Sequence, residues 1–355
     1  MSGYDDTQLV PATPEAVARA AALLRGGETV AFPTETVYGL GADALRPEAV
    51  GRIFAAKGRP ADNPLIVHVA EMADVEPLVA GIDARARLLM DALWPGPLTL
   101  VLPKAARVPS EVTGGLDTVA VRMPAHPVAL ALIRQAATPI AAPSANRSGR
   151  PSPTLAQHVY HDMNGRIPLI LDGGACDLGL ESTVLDLTER VPIVLRPGGV
   201  TPEALRELLG DVRVSSGAPV SPEEGAAPRS PGMKYTHYAP EAGLIIVSGA
   251  GSARAALARR LYDEAFATGE RAVILAPAER ESAYAPRAFR ALGRAGEPRE
   301  AAAQLFAALR DLDAQGFRRI VAEAVEADGI GLAVMDRLCR AAGFCIQYAE
   351  EINER

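Results

Sequence analysis

Pro33-Thr34-Glu35-Thr36-Val37-Tyr38-Gly39-Leu40-Gly41-Ala42-Asp43-Ala44, followed by Lys57-Gly58-Arg59-Pro60-Ala61-Asp62-Asn63-Pro64-Leu65-Ile66-Val67-His68, is the stretch on which the reading of this chain turns. It gathers hydroxyls, a glycine-rich turn, two cations, an amide and an imidazole, and it ends in a strongly apolar strand. That mixture reads as the lining of an anion-binding site. Lys57 and Arg59 are two apart, so in extended chain they face the same way. His68 shares the Ile66 face of its strand. Arg59, Asn63 and His68 converge on one ligand if the loop folds back; the alternatives are a solvated loop and a hydrogen-bonded core histidine. Gly39 to Ala44 also fits the loose pattern G-x-G-x-x-A. The dinucleotide fingerprint, however, needs a strand running straight into the first Gly and a helix opening at the third position. Here Pro33 ends the preceding strand well before Gly39. The competing reading of the glycines is a tight turn that uses their access to positive φ.

Working outward, the spacing predicts strands at 29–32, 65–69, 98–102, 118–122, 140–142, 169–171, 183–187 and 193–195, with helices at 14–25, 47–56, 84–93 and 127–136. Many strands with scattered helices imply an α/β or α+β sheet in place of a tandem βαβ array. Between Val214 and Pro231 the apolar periodicity disappears, which marks a linker. It leads into Ser230-Pro231-Gly232-Met233-Lys234-Tyr235-Thr236-His237-Tyr238-Ala239-Pro240, too aromatic for an idle spacer and expected to act as a lid. From Leu244 strands at 244–247, 272–275 and 319–322 alternate with helical segments, including 332–342, so a small parallel α/β domain follows.

The totals agree with two domains: 355 residues exceed what one core usually organises. No apolar run approaches the ~18 residues of a membrane span, and the first residues lack a signal-peptide stretch; the expected location is cytoplasmic. Cys176, Cys339 and Cys345 are too few and wrongly spaced for a disulfide scaffold or a zinc knuckle. His158 and His161 lie three apart on a helix, without an acidic or thiol partner at ligand spacing. A net charge of −7 implies no broad basic face for nucleic acid.

Further along, Arg122 closes an apolar strand four residues after Thr118. A bound carboxylate or phosphate would satisfy its planar fork, and an internal salt bridge to Asp117 or Glu181 is the rival. Ala141-Ala142-Pro143-Ser144-Ala145-Asn146-Arg147-Ser148-Gly149-Arg150-Pro151-Ser152-Pro153-Thr154 follows a strand and precedes a helix, where hydroxyls and backbone N–H groups form an anion nest. Ser152 or Thr154 is also a candidate N-cap. Leu180-Glu181-Ser182-Thr183-Val184 and Arg196-Pro197-Gly198 set further polar groups beside strands. Neither G-x-S-x-G nor a P-loop is present.

Taken together, the segments Pro-Thr-Glu-Thr-Val-Tyr-Gly-Leu-Gly, Lys-Gly-Arg-Pro-x-x-Asn-Pro-Leu-Ile-Val-His, Trp-Pro-Gly-Pro-Leu-Thr, Ala-Pro-Ser-Ala-Asn-x-Ser-Gly, Glu-Ser-Thr-Val and Leu-Arg-Pro-Gly resemble the YrdC-type threonylcarbamoyl-AMP synthases, in order, over roughly residues 10 to 205. The linker and trailing domain resemble the long, two-domain form of that family. The resemblance implies an α/β fold: a YrdC-like twisted mixed sheet with flanking helices around a concave cavity, plus a smaller C-terminal Rossmann-like α/β domain. The extents expected are 1–212 for the catalytic domain, 213–240 for the linker or lid and 241–355 for the C-terminal domain. It implies a nucleotidyltransferase that makes L-threonylcarbamoyl-adenylate from L-threonine, bicarbonate and ATP, releasing pyrophosphate. The product serves threonylcarbamoyl modification of tRNA adenosine 37 through a separate transfer complex, with tRNA binding by this chain weak or absent. Carried over by position, Thr36, His68, Arg122, Ala142 and Ser182 hold threonine or its carbamate, with Thr34 assisting. Arg59, Asn63, Thr118, Ser144, Ser152 and Arg196 hold ATP, joined by Tyr235 or Tyr238 from the linker. Lys57 and Arg59 are the catalytic cations at the phosphates. Mg²⁺ accompanies ATP, with no side-chain ligands assigned to it.

Overall fold

The computed structural model describes Tyr4, residues 6–215 and residues 238–349. The chain divides into two compact units, Met1–Ser148 with Ser152–Tyr235, and Gly149–Pro151 with Thr236–Arg355. The first holds strands β1 (Gln8–Pro11), β2 (Val30–Phe32), β3 (Gly39–Asp43), β4 (Ile66–His68), β5 (Leu98–Pro103), β6 (Thr118–Arg122), β7 (Ile140–Ala141), β8 (Leu169–Asp172), β9 (Thr183–Asp186), β10 (Ile193–Arg196) and β11 (Arg213–Val214). Its helices are α1 (Pro14–Arg25), α2 (Pro47–Lys57), α3 (Ala84–Leu93), α4 (Ser110–Thr113), α5 (Pro127–Ala136), α6 (Ala156–Met163) and α7 (Pro202–Leu209). The strands form one mixed sheet in the order β1-β8-β2-β3-β7-β4-β6-β5-β9-β10-β11.

Local chemistry explains the elements. Thr13 accepts the backbone N–H of Ala16 and Pro14 opens α1, while Asp83 accepts that of Ala86 and starts α3. α1 and α5 pack against each other and bury Leu24, Leu132 and Ile133 together with Val30 and Phe32 of β2. The strands of the sheet centre are buried on both faces, so they read as apolar runs in place of alternation.

The glycine-rich segment is not a turn. Gly39 and Gly41 lie inside β3, which pairs antiparallel with β2 and β7, and neither has positive φ. The reason for glycine is space. A Cβ on Gly41 would lie 2.7 Å from Ile140 Cγ2 and 2.7 Å from Phe32 Cε1. Glycines let the Phe32 ring of β2 approach the neighbouring strand closely. The helix-cap expectation is also corrected: α6 begins at Ala156 after Leu155, which has no side-chain cap bond, and neither Ser152 nor Thr154 caps it.

The C-terminal unit carries β12 (Gly243–Ser248), β13 (Ala272–Ala276), β14 (Phe289–Ala291), β15 (Arg319–Glu323) and β16 (Ile346–Tyr348), with α8 (Gly251–Ala267), α9 (Glu281–Tyr284), α10 (Pro298–Ala314) and α11 (Gly331–Ala341). The strand order is β14-β13-β15-β12-β16, and every pairing is parallel. This is a helix-connected parallel α/β sheet. No helix among the described residues is long and apolar enough to cross a membrane.

Two glycines test this account of packing. Gly41→Ala is expected to cost ~1–3 kcal/mol, the usual scale for overpacking. Gly51, in α2, would place a Cβ with nothing within 4 Å, so Gly51→Ala is expected to stabilise by about 0.5–1 kcal/mol. Urea denaturation midpoints of the two variants should move in opposite directions.

Candidate active site

The parallel register of β4 and β6 lays out the site. Ile66 faces Ala120, and His68 faces Arg122. Paired residues in parallel strands point to the same side, so His68 and Arg122 stand together at one end. Thr118 begins β6 at the other end, roughly 13 Å away at the ordinary rise per residue. Asn63, just before β4, lies at that same Thr118 end. Antiparallel β7 runs back between the two ends: Ile140 faces His68, Ala142 N–H donates to Ile66 O at 2.9 Å, and Ser144 bridges to Gly39.

At the first end Arg122 is buried. Its Nε donates to Gly96 O at 3.1 Å and its Nη1 to Thr36 Oγ1 at 2.9 Å. Its Nη2 lies 2.6 Å from Glu35 Oε1. The internal salt bridge that rivals a bound anion at Arg122 therefore exists, but with Glu35; neither Asp117 nor Glu181 is the partner. Glu35, between Thr34 and Thr36, is a member of this cluster that the spacing of the sequence does not single out. Thr34 Oγ1 lies 2.8 Å from Thr36 Oγ1 and donates to Val37 O at 2.6 Å, which turns Thr36 towards Arg122.

His68 is buried and its Nδ1 has no hydrogen-bond partner. Burial, and then the neighbouring Arg122 charge, push its pKa down to about 3. The imidazole is therefore neutral beside the guanidinium, edge-on to Phe32 at 6.3 Å between ring centres. Beyond β5, Ser182 Oγ lies 2.8 Å from Thr99 Oγ1, and Arg196 donates to Ser182 O through Nε and Nη2, both at 3.1 Å. Ser152 Oγ donates to Glu181. Gly198 closes this corner, since a Cβ there would lie 2.3 Å from Thr183 N.

At the second end Asn63 is wholly buried, and neither its Nδ2 nor its Oδ1 has a partner. Arg59 Nη2 donates to the carbonyls of Asn63 and Pro64 at 3.3 and 3.1 Å. Lys57 is buried. Its ammonium donates to Ser144 O and to Asn146 O, the latter at 2.6 Å, and Ser144 Oγ donates to Asn146 Oδ1 at 2.6 Å. Lys57 thus pins the 144–146 loop from beneath.

The structure brings Thr34, Thr36, His68 and Arg122 together, and it brings Arg59 and Asn63 together at the other end. Lys57 meets Ser144. Ser152 and Arg196 stand instead beside Glu181 and Ser182. Ala142 lies between the two ends. Tyr238 is buried in the C-terminal unit, its ring 5.2 Å from that of Phe306 and 5.6 Å from the Arg337 guanidinium. Tyr235 lies outside the described residues.

Known proteins resemble this chain in sequence and in fold. A family model described as telomere recombination matches residues 22–198, and one described as threonylcarbamoyl-AMP synthase, C-terminal domain, matches residues 200–343. The threonylcarbamoyl-AMP synthase of Bacillus subtilis is 48% identical over 328 residues, 92% of this chain and 93% of its own. That of Schizosaccharomyces pombe is 43% identical over 364 residues, 93% of this chain and 89% of its own. The crystal structure of Pyrococcus abyssi Sua5 complexed with L-threonine is 46% identical, superposes with a TM-score of 0.91, and covers 97% of this chain and 100% of that one. The chain belongs to the threonylcarbamoyl-AMP synthase family.

Proposed function

We propose that this chain joins L-threonine, bicarbonate and ATP into L-threonylcarbamoyl-adenylate, and that its cavity has three arms meeting at the α-phosphorus. Threonine lies with its carboxylate on Arg122, beside Thr36, His68, Ala142 and Ser182, with Thr34 orienting Thr36. The pyrophosphate that will leave lies towards Arg59, Asn63, Thr118 and the 144–146 loop. The rest of the nucleotide lies towards Ser152 and Arg196. The observation that carries this reading is the pair of orphaned polar groups at the two ends of β4. Asn63 and His68 are buried with unpartnered polar atoms, a costly state unless a ligand completes them.

The chemistry asks for placement and charge more than for covalent help. The neutral amine of threonine condenses with bicarbonate, forming an N–C bond and releasing water, to give a carbamate, which is already an anionic nucleophile. Its oxygen attacks the α-phosphorus, a P–O bond forms, and the bond to pyrophosphate breaks. Fixed cations and N–H groups around the phosphates stabilise the charge that develops. In this reading Arg59 faces the phosphates directly, whereas Lys57 acts through the loop it holds. A neutral His68 lets the amine and carbamate approach without adding a second cation beside Arg122. Of the two linker tyrosines, Tyr235 takes the nucleotide role and Tyr238 anchors the segment within the C-terminal unit.

Among the described residues no group of three or more His, Cys, Asp or Glu could hold a metal ion. A hard cation is held well by phosphate oxygens and water. Mg²⁺ then enters with ATP and shields its phosphates. The adenylate is passed to a tRNA threonylcarbamoyl-transfer complex, and the acidic balance of the chain suits it poorly to hold tRNA itself.

Two outcomes are expected. Pyrophosphate release from ATP should depend on both threonine and bicarbonate, and Arg59→Ala should lower it on the order of 10²–10³-fold without loss of folding. Threonine-independent release would refute the proposed function. The second concerns His68, neutral in the fold and titrating near 6.5 when unfolded. The stability it contributes is complete above pH 6.5 and falls away as pH drops towards 3, because only the unfolded chain takes up the proton. Urea unfolding between pH 7 and 4 should show a shallower loss in His68→Gln than in the parent, by up to about 1.4 kcal/mol per pH unit. Equal slopes would contradict a buried neutral imidazole.

A further inference from the structure

The contact between Arg122 and Glu35 is unusual for a buried ion pair. At 2.6 Å it is close, yet neither carboxylate oxygen of Glu35 and not the Nη2 of Arg122 makes a hydrogen bond of proper geometry. Charge holds them together without direction. The other donors of Arg122 have fixed partners in Gly96 O and Thr36 Oγ1, so Nη2 is the edge available to a ligand. The backbone of Glu35 is pinned, because Leu178 N–H donates to its carbonyl at 2.8 Å. Its side chain keeps 12% exposure, against 4% for Arg122. Glu35 is therefore the partner that can turn aside at least cost.

We propose that Glu35 recognises the α-ammonium of the substrate and so makes the site selective for an amino acid. It rests on Arg122 as an internal stand-in for a carboxylate. A zwitterion carries its anion and its cation on adjacent carbons, and it inserts between the two side chains. Its carboxylate takes Nη2 of Arg122, and its ammonium takes the carboxylate of Glu35. One poorly directed ion pair becomes two well-directed ones, with no net charge added to the interior. This rests on the assignment of Arg122 to the threonine carboxylate given above.

The other groups that bear on Glu35 cannot take its place. His126 is shifted down by burial, and its Nδ1 accepts from Val128 N–H at 3.2 Å. Burial pushes the Cys176 thiol up to about 12, so it carries no charge. Asp177 is exposed. His68 is neutral. Glu35 is the anion set against Arg122. A hydroxy acid of the same shape would displace Glu35 from Arg122 and leave it without a cation, so it is penalised twice.

Calorimetric titration of the full chain with L-threonine and with 2,3-dihydroxybutanoate, in which a hydroxyl replaces the amine, tests this. The parent chain should prefer threonine on the order of 10–100-fold. Glu35→Gln should collapse that preference to within roughly threefold, the scale of an exposed polar contact. It should also bind the hydroxy acid at least as well as the parent does, because Arg122 is vacated. Glu35→Asp, which keeps the charge, should retain most of the preference. A parent without preference, or a Glu35→Gln variant that keeps the parental ratio or weakens both ligands equally, would overturn the inference. Arg122→Met should lose threonine binding; if it does not, the assignment of Arg122 fails and takes the inference with it, a result distinct from an unchanged ratio in Glu35→Gln.

Discussion

A guanidinium buried at the end of β6 is the constraint around which this site is arranged. Taking an arginine out of water costs several kcal/mol unless its donors find partners, and the surrounding residues read as answers to that cost. The carbonyl of Gly96, in the Trp94-Pro95-Gly96-Pro97 turn, takes Nε. Thr36 takes Nη1 and is itself oriented by Thr34. Glu35 supplies the counter-charge. The same cation helps to hold His68 neutral across the strand pair. Remove the arginine and three polar groups in the Thr34–Thr36 motif lose their purpose together.

The second organising element is the parallel pairing of β4 and β6. Because both strands run the same way, His68 faces Arg122 at one end, and Asn63, which precedes β4, falls towards the Thr118 end of β6. In the proposed function an amino acid at one end and a pyrophosphate at the other would lie at a separation fixed by strand rise, not by loop flexibility. The antiparallel β7 extends this by carrying the chain from Ile140 to Ser144, where Lys57 fastens it. Positioning by rigid strands suits a reaction in which alignment of an existing nucleophile is most of the work.

Much of this was legible in the sequence where one period dominated. The helices at 84–93 and 127–136 and the strand at 118–122 have the bounds expected of them, because capping residues or flanking turns mark both ends. β3 was misread because glycine signals backbone freedom and close packing with the same letter; only the ring of Phe32 and the methyl of Ile140 reveal which applies. β1 and β16 are not legible because they are short strands that depend on partners far along the chain, and β14 because it is only three residues long and half-buried. The candidate site was visible as residue types, but not as pairings. Asp117 and Glu181 are both nearer to Arg122 in sequence than its actual partner Glu35, which lies inside the motif between two threonines. Sequence spacing also could not tell that Ser152 and Arg196 stand apart from Asn63, since that depends on the order of β5, β9 and β10 in the sheet.

The central claim is that one cavity holds the amino acid at the Arg122 end of β6 and the leaving phosphates at the Asn63 end of β4. A crystal structure of the full chain with L-threonine and a non-hydrolysable ATP analogue tests it most directly. The account predicts the threonine carboxylate within hydrogen-bond distance of Arg122 and the β- and γ-phosphates within reach of Arg59 and Asn63, with the α-phosphorus between them. Threonine bound away from Arg122, or a triphosphate lying on the Ser152 and Arg196 side with Asn63 still unpartnered, would contradict it.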